Sequence, residues 1–249
     1  MSSPFYVPVS LDHTTLLLSD VQSQILRRFS QEDQASYLGK VLKLLNFFRS
    51  EIKSRRASAK SKDSHSLYDD VPLIIHHTLP FNINSNAFVS PYNKLASWVA
   101  KLEAGGAFAN APSDPHRPHY GVPAELVPPG GWGGKDEILL GKLQPNCFGS
   151  SDLLAYLRAR GIRHVVLVGL TTMGSILSSA SAGAELDFHV ICVEDGIIDD
   201  DPEVHGFIMK RILSKFVDVV TAKDVVSLGK KSQVAKRHPT RDSGYRFIS

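Results

Sequence analysis

Three places in this chain end an apolar run on a residue that can do acid–base chemistry. Asp20 follows the run 14–18, with Gln22 two residues on, Lys142 closes the run 137–142, and Thr171, Gly174 and Ser175 follow His164–Leu170. A carboxylate beside an ammonium stays ionised and can take up or deliver a proton. The ammonium can also offset negative charge that develops during a reaction. A small-residue turn opening a helix presents backbone N–H groups to an anion. Each residue also has a plain structural role open to it. Asp20 suits an N-cap, Lys142 a surface lysine, and Ser175 close helix–strand packing of the kind expected for Ser178, Ser179 and Ala180.

For these residues to meet, the elements carrying them must share one edge. Residues 14–18, 71–77, 137–142, His164–Leu170, 189–194 and 216–221 are short apolar runs and read as strands. Residues 21–29 begin a helix. Residues 31–53 carry Leu38, Leu42, Leu45, Phe48 and Ile52 at helical spacing after Ser30, a suitable N-cap. Helices are also expected over 91–104, stopped by Gly105-Gly106, and over 151–160, 174–186 and 202–215. Alternating strands and helices imply crossover connections. The expected fold is α/β: a Rossmann-like three-layer α/β/α architecture with a mostly parallel sheet of about six strands. Ligands in such sheets bind beyond the carboxyl ends of the strands. There stand Asp20, His76 and His77, Lys142, residues 170–175, and Glu194-Asp195.

The connecting segments differ in character. Residues 55–70 are rich in Ser and Lys and read as an exposed connector, and residues 107–135, rich in Pro, Gly and His, read as one long loop of the kind that covers or binds ligands. One domain over residues 1–228 is expected, with a C-terminal tail over 229–249. The 249 residues are 43% apolar and 21% charged, ordinary for a globular domain able to bury its own core. A net charge of +3 gives no reason to expect a nucleic-acid partner, and no apolar run reaches the roughly 18 residues that span a bilayer. Cys147 and Cys192 sit in or beside apolar runs and suggest no disulfide framework. With no leader-like N-terminus, a cytoplasmic location is expected.

The three polar-ended segments resemble those of the isochorismatase-like (cysteine hydrolase) family. Leu16-Leu17-Leu18-Ser19-Asp20-Val21-Gln22 is similar to its first strand: an apolar run, Asp, any residue, Gln. Lys142-Leu143-Gln144-Pro145-Asn146-Cys147-Phe148, followed by Asp152-Leu153, resembles its Lys-x-x-x-Ser-Ala-Phe segment. Residues 165–180 resemble the strand, elbow and helix that carry its nucleophile. The resemblance implies a hydrolase of a small metabolite, cutting a vinyl ether or an amide C–N bond, with Asp20, Lys142 and Ser175 as catalytic residues. It further implies an oxyanion cradle at Thr171 and Gly174, a cis peptide between Leu170 and Thr171, and a homodimer or homotetramer. The departure is Ser175, where amidase members carry cysteine and true isochorismatases often carry glycine. Serine is harder to ionise than cysteine and needs a close strong base. A catalytically silent binding or scaffold protein that keeps the fold is the competing expectation.

Other residues are assigned lesser roles. Gln22, His77 and Trp132 are expected to line the substrate site, Trp132 as an aromatic lid or as simple packing. No metal and no cofactor is expected. His76 and His77 lack a carboxylate two residues earlier, and His116 and His119 with Asp114 lie in a Pro-rich stretch where chance spacing accounts for them. Residues 199–201, all Asp, read as charge at a helix start before Pro202. No P-loop or dinucleotide fingerprint stands where a strand meets a helix.

Overall fold

The computed structural model describes residues 3–59, 70–79, 89–106, 121–149 and 151–237. Strands β1 (Thr14–Ser19), β2 (Leu73–Thr78), β3 (Glu137–Gly141), β4 (His164–Leu170), β5 (His189–Ile198) and β6 (Asp218–Val220) form one sheet in the order β3-β2-β1-β4-β5-β6. Every neighbouring pair is parallel. The fold is thus the expected α/β one, and its sheet is wholly rather than mostly parallel.

Why these runs become strands is visible in their burial. All residues of β1, β2 and β4 are buried, as central strands covered on both faces must be. Successive side chains alternate between two cores. Leu16, Leu18, Ile74, Val166 and Val168 join one face, packed against Val41, Leu44 and Phe48 of helix α2 (Gln31–Ala59). Leu17, Ile75, Val165 and Leu167 join the other, against Leu153 and Leu157 of α4 (Leu153–Ala159) and Ala180 of α5 (Leu177–Glu185).

Several boundaries differ from those expected. Helix α2 runs on to Ala59 through part of the presumed connector, because Arg56 chelates Asp136 at 2.6 and 2.8 Å and Arg55 pairs with Asp12. Helix α1 is a single short turn (Ser23–Leu26), and α3 begins at Leu95 (Leu95–Ala104). Strand β5 extends to Ile198, with a register shift where Gly169 (φ 143°) sits against β1. A Cβ at Gly169 would lie 2.0 Å from the Ser19 carbonyl oxygen, so only glycine lets these backbones approach. The helix expected over 202–215 is divided into α6 (Pro202–Phe207), a π segment (Ile208–Ile212) and a 3₁₀ turn (Leu213–Lys215). Helix α7 (Ala222–Arg237) crosses the expected start of the tail at residue 229. A Cβ at Gly229 would stand 2.8 Å from the Phe47 ring, so this glycine permits close docking on α2 rather than ending the domain. Among the described residues no helix is long and apolar enough to cross a membrane.

Candidate active site

The carboxyl ends of β1, β3 and β4 bring Asp20, Lys142 and Ser175 together. Asp20 leaves β1 in the left-handed region (φ 57°), which Asp tolerates better than most residues. Its N–H donates to the His77 carbonyl (2.8 Å) and its own carbonyl accepts from Gln22 (2.8 Å), fixing the turn. Lys142 is anchored by its N–H on the Thr78 carbonyl (2.9 Å). Its ammonium reaches Asp20 Oδ2 (2.7 Å), Ser175 Oγ (2.9 Å) and the Pro145 carbonyl, which uses all three donors. Both partners of the ion pair are buried.

Asp20 Oδ1, also buried, has no hydrogen-bond partner among the described residues. Burial pushes the Asp20 carboxyl up to about 6, outweighing the opposing pull of the Lys142 charge. This is the expected order when desolvation exceeds the attraction of a single partner.

Ser175 is differently placed. Its Oγ donates to the Pro145 carbonyl (2.8 Å), accepts from Lys142, and lies 2.5 Å from Ser19 Oγ. A hydroxyl has one proton and two lone pairs. With the proton on Pro145, Ser19 must be the donor in its contact, and the Ser175 oxygen is saturated. None of its partners is a carboxylate or an imidazole. Ser19 Oγ in turn lies 3.1 Å from the buried Cys147 thiol. Leu170–Thr171 is cis, and a π turn (Thr172–Ile176) leads into α5. The first N–H groups of a helix lack intrahelical partners; here Met173 spends its N–H on Asp199 Oδ2 (2.9 Å).

A cavity of about 330 Å³ opens above this group. Asp20, Thr171, Gly174 and Ser175 line it, with Leu79, Trp98 and Leu170 as apolar wall and Arg28, Asp199 and Asp200 also along its lining. Lys142 touches Asp20 and Ser175 from behind.

Three residues expected to line the site do not. Gln22 is buried and bridges the backbone of Leu79, accepting its N–H (2.8 Å) and donating to its carbonyl (3.0 Å). It therefore ties β1 to the segment after β2. His77 is fully buried, and neither ring nitrogen has a well-oriented partner among the described residues. Burial, with the Lys142 charge, pushes it down to about 3, so it is a neutral neighbour of the ion pair. Trp132 packs edge-on against His76 (centroids 4.9 Å), whose Nε2 meets Glu137 (2.9 Å). The aromatic in the cavity wall is instead Trp98 of α3.

Sequence reasoning missed Trp98 and Arg28, which carry no spacing signal. It read residues 199–201 as helix-start charge, and this holds for Asp201, which accepts from Glu203 and Val204 (3.0 and 3.1 Å). Asp199 and Asp200 face the cavity instead. Among the described residues no group of three His, Cys, Asp or Glu side chains could hold a metal ion; the expected chance grouping of Asp114, His116 and His119 lies outside the described residues.

Comparison with known proteins bears on the fold and the family. Maleamate amidohydrolase of Pseudomonas putida is 33% identical over 90 residues, 36% of this chain and 42% of that protein. The chain aligns with less than two thirds of the length of the curated relatives it matches. An isochorismatase family protein from Burkholderia thailandensis superposes with a TM-score of 0.60 at 20% identity, covering 92% of this chain and 100% of that one. A cysteine hydrolase from Pseudomonas syringae gives 0.61 at 16% identity, covering 93% and 100%. At such identities these structures speak for the fold alone. The Isochorismatase domain family matches residues 88–224, more than half of the sequence, and the chain belongs to that family.

Proposed function

We propose that this protein is a hydrolase of small amides in which water, activated by Asp20, is the nucleophile. The observation that carries this reading is the division of labour within one carboxylate. Oδ2 is held by Lys142, while Oδ1 is buried, without a hydrogen-bond partner among the described residues, and part of a group that lines the cavity. A carboxyl near 6 exchanges its proton close to neutral pH, as a general base that later acts as an acid requires. The amide reading draws further support from the maleamate amidohydrolase relative.

The substrate carbonyl oxygen sits on the backbone N–H groups at the start of the Thr171–Ser175 turn, a ready anion site. The Asp20 carboxylate takes a proton from water as the water oxygen bonds to the carbonyl carbon. The resulting oxyanion rests on the cradle. Asp20 then returns the proton to the nitrogen as the C–N bond breaks, leaving a carboxylic acid and an amine. Lys142 keeps Asp20 oriented and moderates its charge. Ser175 serves as a saturated anchor for the Lys142 ammonium.

A screen of primary amides by ammonia release tests this. Turnover should fall about 10³-fold in Asp20→Asn and persist within about tenfold in Ser175→Ala, with no acyl adduct by mass spectrometry. An acyl-Ser175 species, or equal loss in both variants, would overturn the water route. Unchanged ligand binding with no turnover of any amide or vinyl ether would favour the silent binding protein.

A further inference from the structure

The charges and walls of the cavity restrict what it can take, and this inference rests on the amide reading above. Asp20 is compensated by Lys142 at 2.7 Å. Arg28 is paired with Asp200. Asp199 accepts the backbone N–H groups of Met173 (2.9 Å) and Asp201 (3.4 Å) and shares a side-chain hydrogen bond with Asp200, and its burial raises its carboxyl, so it keeps a proton more readily than a free aspartate. The charged groups lining this cavity therefore leave no uncompensated cation among the described residues.

A second cavity, of about 390 Å³, adjoins the first and shares Leu79, Leu95, Trp98, Pro145 and Ser178 with it. Its own polar lining consists of the neutral amides Asn93, Gln144 and Asn146. Asn93 Oδ1 accepts from the Leu95 N–H (3.0 Å) and Asn146 Oδ1 from the Phe148 N–H (2.9 Å). What these two side chains offer a ligand is their NH₂ groups, which suit a carbonyl oxygen.

We propose that the substrate is an uncharged, elongated amide. Its scissile group lies at Asp20, its apolar body passes Trp98, and its far end carries a neutral carbonyl received by Asn93, Gln144 and Asn146. A carboxylate there would lose its water without gaining a cation. An ammonium would face only amide donors in the second chamber.

The test uses three molecules of equal length: octanediamide, 8-amino-8-oxooctanoate and 8-aminooctanamide, with butanamide as a probe that fills the first chamber alone. The kcat/KM for ammonia release is compared where turnover occurs, and Kd by calorimetry where it does not. Octanediamide should be preferred at least about tenfold over each of the others. Preference for octanediamide in binding without turnover upholds this inference and overturns the hydrolase reading. Equal or better use of either charged molecule, or of butanamide, overturns the inference and leaves the hydrolase reading standing wherever that molecule is cleaved. No interaction with octanediamide also overturns it.

Discussion

The two ends of this sheet carry comparable sets of polar residues, yet the two sets are satisfied differently. At the amino ends of β4, β5 and β6, His164 Nδ1 lies 2.9 Å from His189 Nδ1, and His189 Nε2 lies 2.7 Å from Asp218. Asp218 also accepts the Tyr6 N–H (2.8 Å). This chain of groups closes on itself, tying strands and the N-terminal segment together. At the carboxyl ends, Lys142 and Ser175 are equally saturated, but Asp20 keeps one buried oxygen without a partner in a residue that lines a cavity. Buried polar groups are normally satisfied. The proposed function rests on this departure from the rule occurring in a group that lines a cavity.

The sharpest separation comes from exchanging one carboxylate at each end for an amide. Asp20→Asn should lower kcat/KM by about 10³-fold, in the range expected for loss of a general base. Asp218→Asn should leave kcat/KM within about twofold and reduce stability by about 1–2 kcal/mol in urea unfolding, since it weakens a hydrogen bond to His189. A large activity loss in Asp218→Asn would erase the distinction.

Glycines at the two ends differ in the same way. Gly169→Ala drives a methyl into the Ser19 carbonyl at the floor of the site and should cost about 3 kcal/mol or more. Gly161 precedes β4 at the opposite end with φ 60°, and Gly161→Ala should cost only about 1–2 kcal/mol of left-handed backbone energy. Equal losses by chemical denaturation would show that β4 does not press on β1 as described.

Acid acts on the two ends through different observables. Asp20 as base must be deprotonated, so kcat/KM should rise about tenfold per pH unit up to about 6 and level off above it. For stability the sign is opposite to the usual carboxylate. Because burial raises its pKa in the fold, Asp20 contributes stability below about 3.8 that is lost as pH rises through about 6. His164 is pushed down to about 4 by burial and by facing His189, His13 and Arg163. Its contribution is present above about 6.5 and lost as pH falls through about 4. The stability advantage of wild type over His164→Asn should therefore shrink between these values, read as Tm against pH. A constant difference would mean that His164 is not held neutral.

How much of this was readable beforehand follows from the range of the forces involved. The strands around Asp20, Lys142 and Ser175 were legible because buried parallel strands are continuous apolar runs, and the rule of carboxyl ends then placed all three residues on one edge. Gln22, His77 and Trp132 were given to the substrate from position alone. Which way a side chain turns, and whether the Leu79 backbone claims it first, depends on contacts across the chain that no local pattern records. Trp98 and Arg28 were invisible for the same reason, since Trp98 faces the cavity only through the docking of α3 and Arg28 only through the turn that follows α1. The long α2 was cut short because Arg55 and Arg56 look like connector residues until Asp12 and Asp136 are known to stand opposite.

An unpaired buried polar atom does not by itself make a site, and Tyr37 separates the two conditions. Its hydroxyl, on α2, is buried and without a partner among the described residues, as Asp20 Oδ1 is. Burial is the main influence on it and drives its ionisation upward, with the Asp20 charge adding to the shift, so it stays protonated and inert at any working pH. Unlike Asp20 it does not line the cavity. Removing a buried group that makes no hydrogen bond also removes its desolvation cost. Tyr37→Phe should thus leave kcat/KM within about twofold and stability unchanged or up to about 1 kcal/mol higher. The pH midpoint near 6 should stay in place, because a neutral hydroxyl contributes no charge to Asp20. A fall in kcat/KM beyond about tenfold, or a displaced midpoint, would mean that this hydroxyl reaches the reacting carboxylate. The reactive end would then extend through the core to α2 instead of stopping at the cavity floor.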